Sequence, residues 1–179
     1  MRALKASTLN KKLRPSKFFE HFLSANGPTC TAKASTADIQ SKLKVLYLDL
    51  AFGNLQQNKY YQYFIGDPRI VQEAINDLHT KVLESLAYRD ALRFTANRSQ
   101  DPDTRPILGN PAFGSVMQKS ELTYLAYSTI LEGIVKYRDS GMGPDGFIHP
   151  EMCNPQFLVT ISVQLNSNPF MKGAKNLIL

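Results

Sequence analysis

The sequence predicts a mainly α protein: an antiparallel bundle of about four helices around a long helical hairpin, with a short aromatic strand and a β-forming C-terminal tail. Three observations carry that expectation. From Pro68 to Asn97, Val71, Ala74, Ile75, Leu78, Val82, Leu86 and Ala87 recur at helical spacing, winding one apolar stripe along a rod roughly 45 Å long. A second helical run ends near Arg138, after Leu122, Leu125, Tyr127, Ile130, Leu131, Ile134 and Val135. Farther on, Phe157, Val159, Ile161, Val163 and Leu165 alternate with Leu158, Thr160, Ser162 and Gln164, the period-two pattern of a strand with one buried face.

A chain of 179 residues with 43% hydrophobic content is most simply one domain with tails and has enough apolar material for a core. No apolar run approaches the roughly 20 residues of a membrane span and no signal-peptide core lies near Met1, so a soluble intracellular protein is expected. Cys30 and Cys153 are too few for a disulfide framework. Charge is unevenly distributed. Arg2, Lys5, Lys11, Lys12, Arg14 and Lys17 stand in a stretch without acids, while the remaining 15 basic residues match the 15 acidic ones. The whole excess of +6 therefore belongs to residues 1–17, and the expected division is a basic arm (1–17), a helical core (18–151) and an extended tail (152–179).

In chain order, the arm has three readings: a solvated tail, an organellar targeting segment, or a contact for a partner, subunit or nucleic acid. Ser16 caps an expected short helix from Lys17 to about Ser24, in which Phe18, Phe19, Phe22 and Leu23 form a wide apolar face and Gly27-Pro28 is the stop. A segment so short gains its stability from docking. The next helix starts at Ser35 or Thr36, with Asp38 completing a capping box, and continues through Ile39, Leu43, Leu46 and Leu50 to Gly53-Asn54. A strand is the alternative for its second half. Lys59 to Ile65, with four aromatics, reads as extended; such residues suit a half-buried strand or a base-stacking surface. Asp67 and Pro68 then supply an N-cap and a first-turn proline for the central helix. Its polar face balances Arg69, Lys81, Arg89 and Arg93 against Glu73, Asp77, Glu84 and Asp90, as a solvated scaffold does. Arg98 to Gly114 is long for a helix-to-helix connection and is the candidate functional loop. The return helix begins at Ser115 or Ser120, and Gly133 within it permits a neighbouring helix to approach closely.

Several signatures fail for want of context. Gly141-Met142-Gly143-Pro144-Asp145-Gly146 matches the dinucleotide spacing, but a helix precedes it and Pro150 follows, so it reads as a helix-terminating turn. The same stretch echoes the end of a calcium loop while lacking most oxygen ligands. Asn97-Arg98-Ser99 has the glycosylation pattern without a secretion signal. His149, Glu151 and Cys153 would share one side of an extended segment, yet no flanking signature supports a nucleophilic pair. His21 has no ligand partner at metal spacing.

These parts suit a non-enzymatic structural or assembly protein that self-associates. Arg2, Lys5, Lys11, Lys12, Arg14 and Lys17, joined by Arg98 and Arg105 of the loop, are the candidate contacts for RNA or another anionic partner. Phe18, Phe19, Phe22, Tyr61, Tyr63, Phe157, Val159, Ile161 and Val163 are the candidate subunit interface. No catalytic residue, metal, cofactor or small-molecule substrate is expected. In element order (short helix, helix, aromatic strand, long helix, long loop, long helix), with Gly66-Asp67-Pro68 leading into the central helix, the chain resembles the coat proteins of rod-shaped plant RNA viruses. That resemblance is one of architecture, and it implies self-assembly with RNA. The alternatives are an accessory or linker subunit of a large cellular complex, and an enzyme using Cys153 and His149.

Overall fold

The computed structural model describes residues 36–98 and 109–171. Five α-helices follow in order: α1 (Thr36–Phe52), α2 (Tyr61–Gly66), α3 (Pro68–Asn97), α4 (Ala112–Ser140) and α5 (Gln156–Ser167). The described residues are mainly helical and contain no strand. The arm, Phe18, Phe19, Phe22, Cys30, Arg105 and the chain end after Met171 lie outside them, together with the expected short helix near Lys17.

Local chemistry explains the helix limits. α1 stops at Gly53, whose φ of +80° is the left-handed cap geometry, and the Asn54 N–H reaches back to the Asp49 carbonyl at 2.9 Å as in a Schellman motif. At α3 the Asp67 carboxylate accepts the Arg69 N–H at 2.9 Å and Pro68 occupies the first turn, so the expected cap is formed. Helix α3 runs from Pro68 to Asn97, the span its apolar stripe predicts.

α3 and α4 lie side by side in opposite directions. Arg93 holds Glu121 through two bonds of 2.6 and 2.7 Å near one end, and Arg138 donates to Gln72 at 3.2 Å near the other. One core joins Leu43, Leu46, Tyr47 and Leu50 of α1, Phe64 of α2, Ile70 to Leu78 of α3, Ile130 and Ile134 of α4, and Leu158, Ile161 and Leu165 of α5. It occupies one end of the hairpin. No residue of α3 beyond Leu78 is buried, so the remaining twenty or so residues, about 30 Å of helix, carry exposed side chains on their outer side.

Two expectations need correction. The aromatic segment is the helix α2, not a strand: Asn58 accepts the Tyr60 N–H at 2.8 Å, and Tyr60 and Phe64, one helical turn apart, are both buried. Phe64 stacks on Tyr137 with ring centroids 6.0 Å apart. Nor is the tail from Phe157 to Leu165 β-forming; it is α5. Its buried set is Leu158, Ile161, Ser162 and Leu165, at spacings of three, one and three, so the helical face takes Ile161 and Leu165 from one alternating row and Leu158 and Ser162 from the other, and leaves Val159 and Val163 exposed. The deciding contact is with α4. A Cβ on Gly133 would overlap the Ile161 side chain, so the missing side chain is the slot into which α5 packs. The tail's hydroxyls are satisfied inside the helix, Thr160 donating to the Phe157 carbonyl at 2.9 Å and Ser162 to that of Val159 at 3.1 Å.

Candidate interaction surface

α5 turns one face to α4 and α1 and the other outward. Of the four residues of this helix expected at an interface, Ile161 is fully buried and Phe157 is half-buried against the core. Val159 and Val163, one turn apart, are exposed, Val163 to 60%. Beyond the helix Phe170 is exposed to 70%, held where the Asn168 side chain accepts its N–H at 3.0 Å. From Met152 to Met171 the chain carries no Asp, Glu, Lys, Arg or His, so no charged residue of the segment punctuates this face.

A second uncharged segment adjoins it. Leu50 to Asn58 also has no ionisable residue, and its turn after α1 lies against α5. Gly53, Asn54, Leu55, Gln56 and Gln57 line a groove of about 290 Å³ with Val159 and Ser162, and a Cβ on Gly53 would stand 3.3 Å from the Ser162 hydroxyl. Two stretches far apart in sequence thus form one surface with amide groups around exposed valines. Depletion of charge around apolar side chains distinguishes the centre of a protein–protein contact from ordinary surface.

Tyr61 and Tyr63 are half-buried against the core, and burial raises the Tyr61 hydroxyl above its ordinary pKa. With Tyr60 and Phe64 buried, the aromatic cluster serves mainly as packing; Lys59 covers the Tyr60 ring at 4.9 Å. Arg98 caps α3 and lies 5.0 Å from the Phe94 ring centroid. It is the one candidate anion contact among the described residues.

The glycine-rich turn between α4 and α5 is a small closed loop. Met142 pairs with Ile148, Gly143 donates to the Phe147 carbonyl at 2.9 Å, and Gly146 supplies a φ of +78°. The His149 imidazole lies 3.0 Å from Asp145 and 3.7 Å from Glu151. Asp145 is held below the usual carboxylate range, first by the Phe147 N–H and then by His149. Cys153 is not aligned with that imidazole: Pro150–Met152 is a 3₁₀ turn and its thiol donates to the His149 carbonyl at 3.6 Å. Burial, with a smaller contribution from Glu151, pushes the thiol pKa up, against a lowering contact with Tyr137, the opposite of what a nucleophilic thiolate needs. The imidazole and the thiol, expected on one side of an extended segment, are therefore engaged by different groups.

Among the described residues no three His, Cys, Asp or Glu side chains are grouped to hold a metal, and no helix is long and apolar enough to cross a membrane. The sequence reading missed the Gly53–Gln57 turn as part of the surface. Its signal was the lack of charge in two separate stretches, which means nothing until the fold joins them. The chain finds no match among protein-family models, curated proteins or solved structures.

Proposed function

We propose that this protein is a structural subunit that associates with copies of itself and contacts RNA through its basic arm. One observation carries the reading: Val159 and Val163, one turn apart on α5, are exposed in a segment without ionisable residues, and Val159 lines a groove with the equally uncharged Gly53–Gln57 turn. Such a face is poorly suited to a polyanion, which is held by Lys and Arg, and well suited to another protein. The concentration of the net +6 in residues 1–17 supports a division of labour in which the arm meets the anion and the helical body meets protein.

The test is sizing chromatography with absorbance at 260 and 280 nm, on the wild type and on V159D/V163D. The wild type is expected in large particles carrying nucleic acid. The double variant keeps its helical circular dichroism and runs as small species, because the two positions are exposed and tolerate charge until a partner covers them. A wild type that is monomeric and free of nucleic acid at high concentration would overturn this reading. The same surface also supports an accessory subunit that binds a different protein; in that case the isolated chain stays monomeric and V159D/V163D abolishes binding to that protein.

A further inference from the structure

We infer that residues 17–24 of this chain dock in the outer half of the seam between α3 and α4, with Phe18, Phe19 and Phe22 filling the cavity there and Glu20 meeting Lys119. The seam has one repeat throughout. On α4, Val116, Lys119, Thr123, Ala126, Ile130 and Gly133 follow at alternating spacings of three and four. On α3, Val71, Ala74, Leu78, Lys81, Ser85 and Tyr88 do the same, which keeps each set on one side of its helix. The inner members are buried: Val71, Ala74 and Leu78 on α3, and Ala126, Ile130 and Gly133 on α4. The outer members instead line a cavity of about 360 Å³, formed by Ser85, Tyr88, Val116, Lys119, Ser120 and Thr123, and Tyr88 is exposed to 55%. The core-facing groove therefore runs on past the core, and no described element fills its outer half.

The chain itself leads to that cavity. The Tyr47 hydroxyl of α1 bonds to Ala74 and Asp77 of α3, whereas Ile39 and Gln40, nearer the start of α1, line a groove with Thr80. Helix α1 thus runs antiparallel to α3, and its first residue, Thr36, points toward the uncovered half. Residues 25–35 form a tether that spans up to about 36 Å, against roughly 12 Å of helix from Thr80 to Tyr88, and a tethered segment meets its site at high effective concentration. Phe18, Phe19, Phe22 and Leu23, at spacings of one, three and one, share one side of a helix, and a segment so short holds that form only by docking. Charge selects between the two segments outside the described residues. Lys119 is the one charged residue in the lining, and Glu20, at the edge of the apolar face beside Leu23, is the one acidic residue before Asp38. Residues 172–179 offer Leu177, Ile178 and Leu179 but bring Lys172 and Lys175 and no acid, which would crowd Lys119 with like charge. Docking here holds residues 1–17 toward the end of the hairpin joined by residues 99–108, and it does not depend on the self-association proposed above.

The test replaces the Glu20–Lys119 pair by two thiols. In the full chain with Cys30→Ser and Cys153→Ser, Glu20→Cys/Lys119→Cys treated with a short bis-maleimide is expected to give a cross-link within one chain. It should run as a monomer on a denaturing gel and join the peptides containing positions 20 and 119 in mass spectrometry. Lys136→Cys in place of Lys119→Cys, exposed near the other end of α4, should give little. Adding Phe19→Ala/Phe22→Ala should cut the yield about tenfold, and hydrogen exchange should then quicken from Val116 to Thr123 while Ile130 and Ile134 keep their protection. A link unchanged by the two alanines would show tethering alone and overturn the docking. So would the absence of any link, a link formed only between two chains, or an Ile178→Cys/Lys119→Cys protein that cross-links in preference to the first. Each of those outcomes leaves the proposed function standing, since that is read separately from the particle size of the wild type and V159D/V163D.

Discussion

Tyr47 is the clearest case of one side chain tying two helices together. It is fully buried in α1, yet its hydroxyl donates to the Asp77 carboxylate of α3 at 2.9 Å and reaches the Ala74 carbonyl at 3.2 Å. Asp77 in turn lies 3.4 Å from Lys81. Burial first, and then the Asp77 charge, raises the phenol pKa far above its ordinary value, so it remains a donor at every physiological pH. Removing it by Tyr47→Phe deprives a nearly buried carboxylate of a partner, and the expected loss is about 1–3 kcal/mol in urea unfolding; an unchanged midpoint would show that Lys81 and water suffice. Asp145 gives a prediction about pH. Its folded pKa is lowered by the Phe147 N–H and by His149, so its contribution is present above the unfolded carboxylate value of about 3.9 and disappears as pH falls through the lower folded value. Carboxyl-carbon NMR should find Asp145 titrating below ordinary aspartates, and Asp145→Asn should flatten part of the acid decline in melting temperature. An ordinary titration midpoint would contradict the bonding seen around it.

At the level of elements, the junction of α4 with α5 depends on an absent side chain. Because a Cβ on Gly133 would overlap Ile161 and stand 3.3 Å from the Phe157 carbonyl, Gly133→Ala should push α5 away and cost about 1–3 kcal/mol despite the better helix propensity of alanine. Gly133→Ala should cost less in an Ile161→Ala background, which lacks both overlapping carbons, and a stabilised single variant would mean that the helices repack freely. This junction also explains why one helix was legible and another was not. α3 announces itself over thirty residues, with a cap, a first-turn proline and a sustained period, and no competing structure accommodates them all. α5 has twelve residues, rich in β-branched types, and its apolar residues are dense enough that one subset, Phe157 to Leu165, alternates while a different one, Leu158, Ile161 and Leu165, keeps helical spacing. Its state is settled by what it packs on: the slot at Gly133 accepts a helix, and no described strand offers an edge. α2 was misread for the same reason, since six residues are too few to reveal a period and aromatics are welcome in either state.

For the whole molecule, the division between an uncharged helical face and a basic arm makes salt the discriminating variable. If residues 1–17 hold RNA, binding should weaken steeply with salt, and neutralising Lys11, Lys12 and Arg14 should lower the slope of log affinity against log salt by about 2, at roughly 0.7 per phosphate contact on a single strand. Particle formation through Val159 and Val163 should change far less, because apolar contacts are not screened. A filter-binding titration from low to high salt on both proteins measures the first and light scattering the second; equal slopes for wild type and variant would remove the arm from RNA recognition. The sequence by itself determined the concentration of net charge in the arm, the mainly helical class, and the limits and cap of α3, all of which depend on neighbours in the chain. The state of the aromatic segment and of the C-terminal stretch, the joining of two uncharged segments into one surface, and the exposure of Leu83, Ala87, Ala91 and Phe94 were decided only by tertiary structure. They depend on which side of each short or amphipathic helix is covered, and a linear pattern records apolar positions without recording what lies against them.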